Sequence, residues 1–369
     1  IGTSITLTVI SGILLTAIYL IFSDGILNLF GAGVNEETFA LSKEYFFWIS
    51  LGIPFYMFGQ ALNPMIRSDG GPRFAMICLL SGAITNVILD PIFIFPLKWG
   101  MMGAAVATSI GQVLSAVLSL CYLFRMKAIK LQKDSFKPRF SLIKKILPLG
   151  MTSFLSQVSI VVSMAAVLNM CKIYGAKDPI FSKAEYAQIP TAVIGIVMKF
   201  FQIVMSIAIG LSAGCIPIVG YNIGAKRGDR AKELMKKMLL AEAAVGVAAL
   251  LIFELFPKPL IGIFGAGNES TYYTDFAVKC IRIFLSSVVL ACVNKGMFIY
   301  LQSVGKAAAS TALSLLREIV CGVGLVLLLP LWFGLDGVLY FMPLSDIITF
   351  AVGIFVLLKT AKELEENHN

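Results

Sequence analysis

Histidine is almost missing from this sequence: the single copy, His368, lies next to the last of 369 residues. A histidine proton relay or a histidine-ligated metal inside a folded core is therefore excluded. Charge is scarce too. Charged residues make up 14% of the chain, whereas a soluble domain carries about 25%, and hydrophobic residues reach 58% with a mean hydropathy of +0.88. Such a chain has too little polar surface to face water. Cysteine occurs seven times, an odd number, with no Cys-x-x-Cys spacing and with nearly every copy inside an apolar run. Reduced, packed thiols are the expectation, rather than disulfides or a metal site. His-Glu-x-x-His and Gly-x-Ser-x-Gly are both absent, which leaves an intramembrane enzyme without a metal or nucleophile cluster. No filter-like repeat of a channel occurs, and the alternating ten-residue strands of a membrane barrel are absent as well.

What is there in abundance is apolar sequence in long runs. A bilayer crossing takes about 20 such residues, and in lipid the backbone must satisfy its own hydrogen bonds, as helices do. Ten spans are predicted, at about 4–30, 45–66, 74–95, 103–125, 146–171, 190–220, 236–256, 274–302, 308–332 and 337–358. The basic residues sort by side. Arg67 and Arg73, the long loop from Arg125 to Lys145, the run from Lys226 to Lys237, Lys306, Lys359 and Lys362 all fall in one set of loops. The alternate loops hold only Lys43, Lys98, Lys172, Lys177, Lys183 and Lys258. Basic loops stay cytoplasmic, so the first span runs outward and the C-terminus is expected in the cytoplasm. The net charge of +9 then reports topology and contact with anionic membrane lipids, not nucleic acid, because basic clusters interleaved with aromatics are missing.

The two halves of the chain resemble each other. Phe30-Gly31-Ala32-Gly33 returns as Phe264-Gly265-Ala266-Gly267, an offset of 234 residues, and Trp99-Gly100-Met101-Met102-Gly103 returns as Phe333-Gly334-Leu335-Asp336-Gly337 at the same offset. The turns at Gly70-Gly71 and Gly305 agree within one residue. Internal repeats are frequent in transporter folds. The second half has two spans, 146–171 and 190–220, whose counterparts would precede Ile1. That predicts a parent of twelve helices in two pseudo-symmetric lobes, with the first two helices outside this sequence. The expected domains are 1–125 (last four helices of the N-terminal lobe), 126–145 (basic cytoplasmic linker) and 146–369 (six-helix C-terminal lobe and tail).

Several segments are similar to one family: Gly59-Gln60-Ala61-Leu62-Asn63 with Arg67-Ser68-Asp69-Gly70, Thr85-Asn86-Val87-Ile88-Leu89-Asp90-Pro91, Gly103-Ala104-Ala105-Val106-Ala107-Thr108, and Gly220-Tyr221-Asn222-Ile223-Gly224-Ala225 with Arg230-Ala231. On these the chain resembles the multidrug and toxic compound extrusion (MATE) transporters, over essentially its whole length. The resemblance implies an all-α membrane protein with two helical lobes around a central cavity. It implies export of small organic, often cationic, drugs or toxins in exchange for Na⁺ or H⁺, with no other cofactor and as a monomer. It also implies an ion-coupling site at Asn86, Asp90 and Thr108. The acid that the first helix supplies in related members has no counterpart here.

The residues support part of this independently. Asn86 and Asp90 are four apart and share a helix face. Asp90 lies about two-thirds of the way along its predicted span, where an ionised carboxylate is costly and is by default a functional candidate. Pro91 lacks an N–H, which leaves the Val87 carbonyl without its helical donor. This oxygen-rich set suits Na⁺ at Asn86 and Asp90, or a proton on Asp90; interhelical hydrogen bonding is the alternative role, and Thr108 can equally bond its own helix. In the C-terminal half, Lys199, Lys295, Asp346 and Met198 are candidates to line a substrate cavity, with buried ion pairing of the lysines to Glu318 or Asp346 as the competing reading. Met151, Met164, Met170, Met198, Met205 and Met297 suit an adaptable apolar cavity or ordinary packing. Arg317 and Glu318 are adjacent, about 100° apart on a helix, and are expected not to face one cavity. Glu242, Glu254, Lys279 and Arg282 are placed near span ends, at the interface. The C-lobe cations favour anionic or zwitterionic substrates unless neighbours neutralise them. A lipid-linked precursor flippase of the same superfamily is the alternative function.

Overall fold

The computed structural model describes residues 2–29, 36–126, 133–183, 185–263 and 270–366. The repeated Phe-Gly-Ala-Gly segments at 30–33 and 264–267, most of the predicted linker's first half, and His368 lie outside the described residues. Within them the chain is helical, with no strand. Two compact units emerge, Ile1–Leu147 and Pro148–Asn369.

The first unit comprises α1 (Gly2–Ile21), α2 (Ser23–Leu29), α3 (Glu36–Ser68), α4 (Pro72–Ile94), α5 (Gly100–Leu123) and the start of α6 (Phe140–Gly175). The second continues α6 and adds α7 (Ile189–Gly224), α8 (Gly228–Leu255), α9 (Pro257–Ile263), α10 (Thr271–Phe284), α11 (Val288–Ser303), α12 (Ala307–Leu315), a π-helical segment (Leu316–Val323), α13 (Gly324–Leu328), α14 (Pro330–Phe333) and α15 (Leu335–Glu366). Among the described residues, eight helical segments are long and apolar enough to cross a bilayer, and a ninth is reached if α10 and α11, bent by 44° at their junction, count as one span. The predicted span 45–66 lies in α3, whose 33 residues suffice in length but whose composition is more polar. One expected continuous span is thus broken, 274–302 by the bend before Val288, while 308–332 stays one span, Ala307–Phe333, with a π-helical segment inside it.

Local chemistry sets the helix limits. Gly70 takes φ +88°, a conformation that costs an L side chain 1–2 kcal/mol or so, and Pro72 then opens α4, where its missing N–H is harmless. The backbone confirms the sequence repeat. Gly100 and Gly334, 234 residues apart, both have positive φ (+53° and +57°), and so do Gly70 and Gly305 (+88° and +84°). In each half the chain turns left-handed at the same place and feeds the next membrane helix.

Packing in the first unit depends on small residues. A Cβ on Gly82 of α4 would lie 2.7 Å from the Gly111 carbonyl oxygen of α5, and one on Gly111 would lie 2.5 Å from the Gly82 oxygen. The two backbones touch. In the second unit a larger core gathers Phe200, Phe201, Phe253, Phe276, Phe284 and Phe341. All seven cysteines are free, with Cys78, Cys171, Cys280, Cys292 and Cys321 buried.

The interfacial placement of four charges divides. Lys279 pairs with Asp336 at 2.6 Å, and Arg282 with Glu254 at 3.5 Å, all partly exposed; such pairs contribute little. Glu242 does not belong with them. It is fully buried in α8, accepts a hydrogen bond from Ser212 Oγ of α7, and its Oε2 has no partner. Gly296 of α11 leaves it room, since a Cβ there would come within 3.0 Å of Glu242 Cγ. The sequence reading failed because the apolar run 236–256 begins only six residues before Glu242, whereas the helix begins at Gly228. Glu242→Ala strands the Ser212 hydroxyl in a void, and a loss of about 2–4 kcal/mol is expected. Glu242→Gln keeps the bond without a buried charge and is expected to be at least as stable as the native protein. Thermal unfolding in detergent compares the three.

Candidate ion-coupling and substrate sites

The structure brings Asn86, Asp90 and Thr108 together. Asn86 Nδ2 donates to Asp90 Oδ1 at 3.1 Å along α4 and to Thr108 Oγ1 at 3.1 Å across to α5. Thr108 Oγ1 in turn donates to the Ala104 carbonyl at 2.9 Å. Both amide hydrogens of Asn86 are used, so its Oδ1 is left to accept, as is Asp90 Oδ2. All three side chains are half-buried. No ion pair to Asp90 occurs among the described residues. Asp90 is four residues from the end of α4, which stops at Ile94, one residue short of the predicted limit. Pro91 continues the helix while withholding a donor from the Val87 carbonyl.

The helix contact below holds this geometry. Gly82 is one turn before Asn86, Gly111 is three residues after Thr108, and a Cβ on Gly111 would stand 3.5 Å from Asn86 Cβ. Close approach of α4 and α5 at the glycines is what lets an amide on one helix reach a hydroxyl on the other. Asn86, Thr108, Gly82 and Gly111, with Tyr56, Gln60 and Gln112, border a cavity of about 220 Å³. The sequence reading missed Gln112, whose buried Oε1 has no hydrogen-bond partner.

The second unit holds another cavity, of about 210 Å³, walled by α6, α7, α11, the π-helical segment and α15. Met198 and Lys295 line it, as do Met164 and Met205. Lys199, one residue further along α7, is exposed and faces away. Asp346 is fully buried behind the wall rather than in it. Its Oδ1 accepts from Arg317 Nε at 2.7 Å and its Oδ2 from Ser287 Oγ at 3.0 Å. The carboxylate is therefore paired with Arg317, not with either lysine.

Arg317 and Glu318 both line this cavity and are hydrogen-bonded to each other through Arg317 Nη1 and Glu318 Oε1. The expectation that adjacent residues diverge assumed an α-helix. The wider π turn at Leu316–Val323 changes the angle between them, and such turns often sit at functional sites. Ser345 Oγ donates to the Arg317 carbonyl at 2.8 Å, and the guanidinium lies over the Phe201 ring at 5.8 Å. The repeat offers a signal that was overlooked. Asp346 is 234 residues after Gln112, so the buried polar groups of the two units occupy equivalent places on equivalent helices.

Comparison with known proteins decides the family. The MatE family profile matches residues 1–92 and 180–328. The chain belongs to the MatE family. It is accordingly a multi-pass membrane transporter and not an enzyme. Among curated relatives, the MatE chain is 25% identical over 337 residues to the multidrug export protein MepA of Staphylococcus aureus (strain MW2), covering 91% of this chain and 70% of the relative. It is 24% identical over 355 residues to MepA of Staphylococcus haemolyticus, covering 96% and 74%. A MATE transporter crystallised in complex with MaL6 superposes with a TM-score of 0.88 at 22% identity, covering 98% of this chain and 79% of that one. An outward-facing multidrug-resistance MATE transporter gives 0.87 at 22%, covering 98% and 78%. At that identity the structural likeness establishes the fold of this MatE protein and nothing finer.

Proposed function

We propose that this chain exports small amphipathic organic compounds, often cationic, across the cell membrane by alternating access, in exchange for Na⁺ or H⁺ bound at Asn86, Asp90 and Thr108. In this reading the basic loops and the C-terminus face the cytoplasm. The observation that carries it is Asp90: a carboxylate in a 23-residue apolar helix whose protein partner is a neutral amide. A charge in that setting requires a mobile counter-ion, or else a proton that comes and goes. Na⁺ would find hard oxygens in Asp90 Oδ2, Asn86 Oδ1 and Thr108 Oγ1. Rotation of the Asn86 amide exchanges a donor for an acceptor at the same place, so one side chain serves both the ion-bound and the ion-free arrangement. The 25% identity to proteins named as multidrug exporters supports the class of cargo.

The test uses the full-length protein in bacterial cells depleted of their own efflux pumps. Cells carrying it are expected to accumulate several-fold less of a rhodamine dye than cells carrying the empty vector, and to tolerate more of it. Unchanged accumulation across a broad panel of organic cations and zwitterions would move the weight to transport of a lipid-linked precursor.

A further inference from the structure

Charge in the second cavity is unevenly satisfied. Two cations reach it, Lys295 and Arg317, and two carboxylates are nearby, Glu318 in the wall and Asp346 behind it. Arg317 engages both carboxylates, Asp346 through Nε and Glu318 through Nη1. Lys295 makes no ion pair or hydrogen bond with any described residue. It projects from α11 into a space walled in part by Met164, Met198, Met205, Phe201 and Phe341, with serines and the amides of Gln157 and Gln202 also in the wall.

We propose that this cavity binds aromatic organic compounds bearing a carboxylate, anionic or zwitterionic, with the carboxylate seated on Lys295 Nζ and the aromatic body against the methionines and phenylalanines. The inference rests on the export reading above and specifies its cargo. An ammonium held within a membrane helix bundle with no hydrogen-bond partner is costly, and a cargo carboxylate supplies that partner through a charge-assisted hydrogen bond. Arg317 is less suited to that part, because two acids already share its charge. The flexible thioethers fit rings of different outline, while one fixed charge sets the chemical class. A basic group on a zwitterion would meet the Glu318 carboxylate across the same wall.

A matched dye pair tests this: a rhodamine with a free carboxylate and its ethyl ester, which share one cationic ring system. Binding to the purified full-length protein is followed by fluorescence anisotropy, and export by uptake into inverted vesicles. The native protein is expected to bind the acid at least tenfold more tightly than the ester. Lys295→Met should remove that preference, weakening the acid about tenfold and the ester by less than threefold, while Lys295→Arg retains it. Equal affinity of the native protein for both dyes, or equal losses for both in Lys295→Met, overturns the proposal. If Lys295→Met does not fold, the native preference and its retention in Lys295→Arg decide. Export of the ester alone sinks the carboxylate inference and leaves the export reading standing; export of neither dye sinks both.

Discussion

Arg317→Met is expected to destabilise the second unit by about 3–5 kcal/mol, the cost of leaving a buried carboxylate without its cation. Asp346 is fully buried and bonded to Arg317 at 2.7 Å, with the Ser287 hydroxyl as its one further side-chain donor among the described residues. Methionine restores most of the volume, so the loss isolates charge. Glu318 loses its partner as well, but it borders the cavity and can be solvated there. Combining Arg317→Met with Asp346→Asn removes both charges and should recover much of the loss, since pairs replaced together by neutral groups are often tolerated. Thermal unfolding of the purified protein in detergent measures the cycle. Equal stability of Arg317→Met and the native protein would mean that this pair does not hold the π-helical segment against α15.

Gly111→Val is the second large effect. The added Cβ falls 2.5 Å from the Gly82 carbonyl oxygen, a backbone atom that cannot rotate out of the way, so α4 and α5 must separate. Overpacking of this kind costs about 1–3 kcal/mol, but the functional loss should be greater. Asn86 spans the two helices at 3.1 Å, and a shift of about 1 Å ends a hydrogen bond to Thr108. Export is expected to fall more than tenfold in protein that still reaches the membrane. Gly25, with open space around it, is the control, and Gly25→Ala should behave as native. Full export by Gly111→Val would show that the close helix approach does not matter for the site.

The parts of this fold that were legible in the sequence share one cause. Long apolar runs can only be helices in lipid, and glycines at a fixed offset of 234 mark turns that no other residue takes easily; the structure duly gives Gly100 and Gly334 positive φ. Asn86, Asp90 and Thr108 could be grouped because a four-residue spacing fixes a shared face and the family resemblance supplied the partner helix. What the sequence could not convey was departure from regular helix geometry. Nothing in Leu316–Val323 announces a π turn, so Arg317 and Glu318 were expected to diverge, and both line one cavity. Hydropathy gave span limits rather than helix limits, which moved Glu242 from the core to the interface on paper. Lys199 and Lys295 looked alike as intramembrane lysines; only the packing of α7 and α11 sends one outward and the other into the cavity.

The central claim is that Asp90 carries the coupling ion. Purified full-length protein in sealed vesicles, loaded with dye and given either a Na⁺ gradient or a pH gradient alone, tests it directly. The native protein should transport under at least one gradient, and Asp90→Asn, which keeps the shape and removes the charge, should lose gradient-driven transport at least tenfold while still binding dye. Native rates in Asp90→Asn under the effective gradient would contradict the account.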